Sequence, residues 1–487
     1  MWASSGPETV RVARWYVDAG ALSLYYAFAD SGDRAMLPPV RRQWLFVVLV
    51  GAAISCRPGA ASSPAVIATA APSASVSASG GASVKPSGTT PLLPPASAVP
   101  LDRELFAAAQ AEVAAALRDL EELVNIDSGT GDADGLAKVG ALLTARLSEV
   151  GARVDMTSAA PSVGSTITGS LRGSGTRDVL LMIHFDTVFA PGEAGRRPFR
   201  REGTRLFGPG VADAKGGAAI LLHALAIAKR RGITGYRTLS VLFSPDEEKG
   251  SPGSRDAIGR LASSQDDVLS YEPPDGERVI VATNGIGQVE LVVKGRSAHA
   301  GAAPEQGRNA ALELAHQVLR LDHLGDPAKG TTVNWTVLAS GERINIIPDL
   351  ARATADLRYS DPSELNRVEH DAQQLTREHL VPDTQVSVTV IDRRPPFAKN
   401  PASERLATLA TRVYLGLDRE LGTVAARYGT DAGYAYRAGR ARPAVLEGLG
   451  IVGGGLHTSD EWADAGSIGP RLYLTLKLIE LLGNAPD

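Results

Sequence analysis

The stretch LLMIHFDTV, residues 180–188, is an apolar run that ends by placing His184 and Asp186 two positions apart. Side chains alternate faces along a strand, so these two belong on one face. An imidazole held by a carboxylate suits a metal-bound histidine and its support; a core histidine beside a capping aspartate is the plainer alternative. Four further sites invite the same question. GPGVADAKGG puts Asp213 in a glycine-rich turn before a helix, FSPDEEKGSPGS puts Glu247 and Glu248 at a strand end, SYEPPDG puts Glu272 at another, and GGGLHTSDEW puts His457 in a loop. Singly, these read as a helix cap, a solvated turn, a strand terminator and a surface histidine. Together, two histidines and several carboxylates without sulfur make a nitrogen–oxygen ligand set that suits Zn²⁺ or another divalent ion in a hydrolytic site. Two metals about 3.5–4 Å apart need a bridging carboxylate, and Asp213 is the candidate.

The elements that must hold these residues alternate in type. Apolar residues recur at helical spacing through 103–126 after the N-cap candidate Asp102, strands are predicted at DVLLMIHF and RTLSVLFS, and a helix at GGAAILLHALAIAKRRG. That alternation argues for an α/β catalytic domain with a mixed, mostly parallel sheet, whose ligands bind at the carboxyl ends of strands, where His184 falls. From Gly285 the order becomes β-α-β-β-α-β, which is ferredoxin-like. Helical patterns at 405–417 and 471–483 then return to the first domain. The expected organisation is a catalytic domain of residues 101–284 and 395–487 interrupted by an inserted ferredoxin-like α+β domain of 285–394. Adjacent strand residues face opposite ways, so Glu247 and Glu248 can serve one site only if the chain bends between Pro245 and Gly250.

The chain has 487 residues, enough for two or three domains, and at 44% hydrophobic and 21% charged it has the make-up of a soluble globular protein. A net charge of -4 gives no electrostatic reason to expect nucleic acid as a partner. The only cysteine, Cys56, excludes intramolecular disulfides and a thiolate-rich zinc site. It follows Arg41, Arg42 and the apolar run WLFVVLVGAAI, which reads as a signal peptide over 36–56. Its end, AAISC, resembles a bacterial lipobox that would lipidate Cys56. Residues 1–35 then read as a non-structural leader, or Met36 as the true start. Residues 57–100, rich in Ala, Ser and Pro with no acidic residue, read as a disordered tether. The expected location is the periplasm or cell surface, with the membrane reached only through a lipid on Cys56.

HFDTV, GPGVADAKGG, DEEKGS, YEP, GRSAHAGAAPEQGRNA, NIIP, ADLRYS, YGTDAGYA and LHTSDEW, in that order over residues 104–485, resemble the motif series of the M20 metallopeptidase family. They look most like its glutamate carboxypeptidase branch, of the carboxypeptidase G type. The resemblance implies one zinc held by His184, Asp213 and Glu272 and another by Asp213, Glu248 and His457, with Co²⁺ or Mn²⁺ as alternative ions. It implies that Asp186 orients His184 and that Glu247 is the general base, taking a proton from water and passing it to the leaving amine. It also implies a cis peptide at Asp213–Ala214.

In the inserted domain the resemblance implies that His299 reaches a partner subunit's site to help stabilise the oxyanion. Arg358 would bind the substrate's α-carboxylate, with Asn345 and the Gly429–Thr430 turn nearby. Arg358 alternates with Leu357 and so belongs on the opposite face of its strand. Arg278 stands near where glutamate-specific members carry a lysine, a departure that bears on strictness for glutamate. His223, His316, His323, His370 and His379 lie in helical stretches without carboxylate motifs and read as non-ligands. The expected activity is hydrolysis of the amide before a C-terminal amino acid, glutamate first, in a peptide, folate-like or N-acyl amino acid substrate. A homodimer joined through the inserted domain would carry it out. One alternative is an N-acyl amino-acid deacylase of the acetylornithine or succinyl-diaminopimelate kind, against which export argues. The other is a non-catalytic surface binding lipoprotein, against which the complete ligand set and base argue.

Overall fold

A computed structural model describes residues 97–483 apart from 275, 438 and 441. The expected leader, signal peptide, lipobox and all but the end of the tether lie outside the described residues. The helix Arg103–Val124 starts where the sequence places its cap, with Asp102 accepting from the Leu105 amide at 2.9 Å. Leu105, Ala109, Ala116, Leu120 and Leu123 form its buried stripe. It packs with the helices Lys215–Arg231 and Ile468–Gly483 against one face of a six-stranded sheet.

The strands of that sheet lie in the order Arg153–Ser158, Ser165–Arg172, Thr238–Ser244, Asp178–His184, Asp267–Ser270, Ala444–Leu446. The first two pair antiparallel with their neighbours and the last four run parallel, so the sheet is mixed and mostly parallel. Asp178–His184 lies inside the sheet and is buried on both sides. Val179, Leu181 and Ile183 enter one core, Leu180 and Met182 the other, which also takes Ile258 and Ala262 of the helix Arg255–Ser263. Covered on both faces, such a strand reads as a continuous apolar run instead of an alternating one.

Between Gly285 and Arg394 the chain builds a second, fully antiparallel sheet in the order Thr332–Ser340, Leu350–Tyr359, Gly285–Lys294, Gln385–Arg394. The helices Ala310–Leu321 and Pro362–Leu375 pack on it and close a separate core of Val289, Leu291, Val293, Leu314, Leu357 and Val368. Strand and helix order match the ferredoxin-like pattern.

One local expectation changes. Residues 97–100 are not part of a free tether: the Val99 amide donates to the Arg412 carbonyl at 2.9 Å, and Arg412 Nε donates to the Ser97 carbonyl at 2.7 Å. Composition marked this stretch as linker, and composition does not register backbone pairing with a helix over 300 residues away in the chain. His223 is buried between two carboxylates, with Nδ1 2.7 Å from Glu112 and Nε2 3.2 Å from Asp119. Both partners come from a different helix, so no motif around His223 announces them.

Candidate metal centre

His184 is the last residue of its parallel strand, and the chain turns at once to bring Asp186 beneath its ring. Nδ1 lies 3.1 Å from the Asp186 carbonyl oxygen and 3.3 Å from Asp186 Oδ1. Nε2 lies 3.1 Å from Asp213 Oδ1 and 3.5 Å from Glu272 Oε2. His457 approaches from the far side, with Nε2 3.2 Å from Asp213 Oδ2 and 3.2 Å from Glu248 Oε2. Asp213 therefore offers one oxygen to each histidine, and each histidine has a glutamate of its own. All five expected ligands come together, in the two groups that the resemblance implies.

The local sequence explains each placement. Asp213 sits in a turn where Gly208 and Gly210 take positive φ, and the Asp213–Ala214 peptide is cis, as the resemblance implies. That turn wraps a carboxylate absent from the expected set: Glu461 accepts from the amides of Gly210 at 2.8 Å, Ala212 at 2.9 Å and Asp213 at 3.0 Å. Glu247 and Glu248 are not strand residues. The strand ends at Ser244, and the two glutamates occupy a 3₁₀ turn, Glu247–Lys249, closed by Gly250 at φ +85°. This is the bend that adjacent residues need to share a site. Asp186 fixes it as well as His184, accepting from the Glu247 amide at 3.0 Å, the Glu248 amide at 3.2 Å and Thr130 Oγ1 at 2.6 Å. Glu272 follows the strand Asp267–Ser270 and donates its amide to Glu447 at 3.3 Å. His457 takes φ +63°, a left-handed conformation uncommon outside glycine.

Five carboxylates, those of Asp186, Asp213, Glu247, Glu248 and Glu272, share this small volume. Burial pushes Glu272 up to about 8 despite the nearby His184, and pushes Glu247 well above the carboxylate range despite Arg394. Hydrogen bonds to Asp213 and Glu248 raise His457 to about 10. Burial pushes Asp213 up as well, but the two imidazoles outweigh it and hold the carboxyl below its usual value. Glu248 Oε1 is buried without a hydrogen-bond partner. A buried anionic oxygen with no donor, inside an excess of negative charge, is what a divalent cation would satisfy. His184, Asp213 and Glu248 each offer a ligand atom, all within 4.8 Å of one another. The donor set thus fits the expected metals.

Of the expected substrate contacts, only the Gly429–Thr430 turn is bonded to groups that hold the cluster. Leu357 is buried in the inserted core and Arg358 lies on the opposite face of the strand, where Nε donates to Asp356 Oδ2 at 2.9 Å. Thr430 is buried and donates to Glu447 Oε2 at 2.9 Å, and Gly429 precedes it. His299 and Asn345 are both exposed and adjacent: Ala298–His299 pairs with Ile346–Ile347, and the Ala300 amide donates to the Asn345 carbonyl at 2.9 Å. His299 Nδ1 accepts from the amides of Gly301 at 3.2 Å and Ala302 at 3.0 Å, which in a neutral ring makes Nε2 the donor. Among the described residues, no hydrogen bond joins His299 or the Asn345 side chain to the metal cluster. Arg278 is exposed at the start of the strand Arg278–Thr283, its stem against Gly422 and its carbonyl accepting from Arg471 at 3.0 Å. The sequence reading missed Glu461, Glu447, Thr130 and Arg394. Glu461 stands four residues from His457 within a quoted motif, but nothing in the motif shows that it cradles Asp213.

Comparisons with known proteins agree with this arrangement. The model of peptidase family M20/M25/M40 matches residues 180–481. The chain is 40% identical over 392 residues to Carboxypeptidase G2 of Pseudomonas sp. (strain RS-16), covering 78% of this chain and 92% of that protein. It is 28% identical over 329 residues to acetylornithine deacetylase of Proteus mirabilis, covering 63% of this chain and 80% of the relative. In fold it is similar to aminopeptidase PepT from Bacillus cereus, with a TM-score of 0.64 at 21% identity over 76% of this chain and 98% of that one. It is likewise similar to the M20 family metallo-carboxypeptidase Sso-CP2 from Sulfolobus solfataricus, with a TM-score of 0.59 at 15% identity over 76% of this chain and 99% of that one. With the matched region holding every residue of the cluster, the chain belongs to peptidase family M20/M25/M40, as a hydrolase of the metallo-carboxypeptidase kind.

Proposed function

We propose that the protein is a di-zinc exopeptidase that hydrolyses the amide bond before a C-terminal amino acid, glutamate first, in a peptide, folate-like or N-acyl amino acid substrate. One observation carries the reading: the two oxygens of Asp213 lie 3.1 and 3.2 Å from two different histidines, each paired with its own glutamate. His184, Asp213 and Glu272 would hold one ion, and Asp213, Glu248 and His457 the other. When bound, the ions supply polarisation of the scissile carbonyl and a lowered pKa for water.

The chain's own groups do the rest. Glu247 takes a proton on its carboxylate and returns it to the leaving nitrogen. Asp186 keeps Glu247 and His184 in register by gripping both. Arg358 can hold the carboxylate of the departing amino acid by two parallel hydrogen bonds. A cavity of about 560 Å³ beside Glu248, walled by Thr187, Val188, Phe189, Ala190 and Lys249, gives room for the acyl part. The exposed pair His299 and Asn345 would serve the site of a second copy, in a homodimer joined through the inserted sheet. Export and lipidation at Cys56 complete the proposal, placing the enzyme at the periplasm or cell surface.

The test is release of free amino acid from N-acyl and peptidyl substrates ending in Glu, Asp, Ala or Leu by the zinc-reconstituted full chain, with E247A as control. Zinc-dependent release of glutamate, reduced in E247A by roughly 10²-fold or more, is the expected result. Release from small N-acetyl amino acids alone would favour the deacylase reading, for which the likeness to acetylornithine deacetylase is the support. No release from any member would return the binding-protein reading.

A further inference from the structure

We propose that Arg394 is the positioning residue of the base, so that the inserted sheet itself sets where Glu247 points. The inference rests on Glu247 acting as the base.

The strand Gln385–Arg394 shows how the residue gets there. Val386, Val388 and Val390 pack toward the inserted core. Unbroken alternation would send residue 394 to that same face. Instead the register shifts between Asp392, opposite Gly287, and Arg394, opposite Ile286, which leaves Arg393 as the extra residue of a bulge. A bulge re-aims the side chains that follow it. Arg394 accordingly shares a face with Ile286, whose side chain abuts Gly429. Pro395 and Pro396 follow and cannot extend the ladder. The strand end is tied down twice, by Tyr359 Oη donating to Asp392 Oδ1 at 2.6 Å and Tyr434 Oη donating to the Arg393 carbonyl at 2.9 Å.

So aimed, the guanidinium is buried, with Nε unpartnered, and its two terminal nitrogens reach two residues. Nη1 donates to Glu247 Oε1 and, at 2.8 Å, to the Gly429 carbonyl, while Nη2 donates to the Glu247 carbonyl. Glu247 is thereby held at its amide by Asp186 and at its carbonyl and one carboxylate oxygen by Arg394. Oε2 is left for the reacting proton. The same guanidinium ties the base to the Gly429–Thr430 turn, so base and turn move together or not at all. Glu248 shares the grip of Asp186 on its amide, but among the described residues no guanidinium holds it, and its carboxylate faces His457.

An ion pair that serves stability alone predicts a different outcome from one that aims a base. Misplacing a catalytic group by about 1 Å can cost roughly 10²-fold in rate without changing substrate binding. We therefore expect R394A of the full chain to lose kcat by roughly that factor, with KM, bound zinc and the circular dichroism spectrum close to wild type. Millimolar guanidinium should restore part of that kcat in R394A and none in E247A. R394K, which keeps the charge but lacks the two-pronged reach, should fold and fall between R394A and wild type. The inference is overturned if kcat of folded R394A, or of R394K should R394A not fold, stays within threefold of wild type while E247A is inactive, or if R394A loses zinc in step with activity and guanidinium restores nothing. Should E247A itself keep wild-type turnover, the reading of Glu247 as base fails, and this inference with it.

Discussion

At the residue scale the centre is held by carboxylates that never need touch a metal. Glu461 is the clearest, since a single side chain accepts three consecutive-turn amides and so fixes the backbone on which Asp213 stands. E461A should drop zinc affinity by roughly 10- to 100-fold, read by competition with a chromophoric chelator; E461Q, able to accept through one oxygen only, should fall between. Unchanged affinity in E461A would mean the turn holds itself. Protons compete for the same ligands. Burial leaves Glu272 protonated up to about 8, and its two carboxylate neighbours leave His457 protonated up to about 10. Both must deprotonate to bind an ion, so affinity should climb as pH rises through that interval, and binding at pH 7 should release protons. Calorimetry in buffers of differing ionisation enthalpy measures the release; an apparent enthalpy independent of buffer would contradict it. The candidate ligands and base are legible in the sequence because each lies in a short local motif. Glu461, Glu447 and Arg394 are not, because what defines them is a partner 175 to 251 residues away or, for Arg394, 147.

At the element scale, close packing puts Asp213 and Glu272 within reach of one another. A Cβ at Gly217 would meet the Tyr271 carbonyl oxygen at 2.1 Å, so the helix Lys215–Arg231 can lie against the end of the strand Asp267–Ser270 only because the residue there is glycine. Asp213 precedes that helix and Glu272 follows that strand. G217A should therefore separate two ligands at once, costing about 1–3 kcal/mol of stability in urea unfolding and weakening zinc binding in parallel. If the variant binds zinc as wild type does, the two elements are not coupled. The element pattern was largely readable: buried strands and both folds follow from apolar period and order. The Glu247–Lys249 turn was anticipated only as a bend, since Pro245 and Gly250 signal that the strand stops but not that a 3₁₀ turn replaces it. The bulge at Arg393 carries no such signal, because it depends on how the last strand registers against Gly287 and Ile286.

At the scale of the whole molecule, the proposed homodimer turns on His299. It is exposed, and in the described residues its imidazole is bonded to the amides that follow it. If it completes a partner's site, H299A and E247A should each be inactive alone, while co-refolded mixtures regain activity through heterodimers with one intact site. Light scattering should give a dimer mass for all three. Absence of any regain in a mixture shown to contain heterodimers would place His299 outside the reaction. Finally, the cradle around Asp213 links positions 248 to 251 residues apart. A ribosome must therefore have passed Glu461 before the turn bearing Asp213 is supported and His457 can take its place. Metal acquisition is in this way tied to synthesis past Glu461, and a nascent or clipped chain that stops short of it has no finished centre to load.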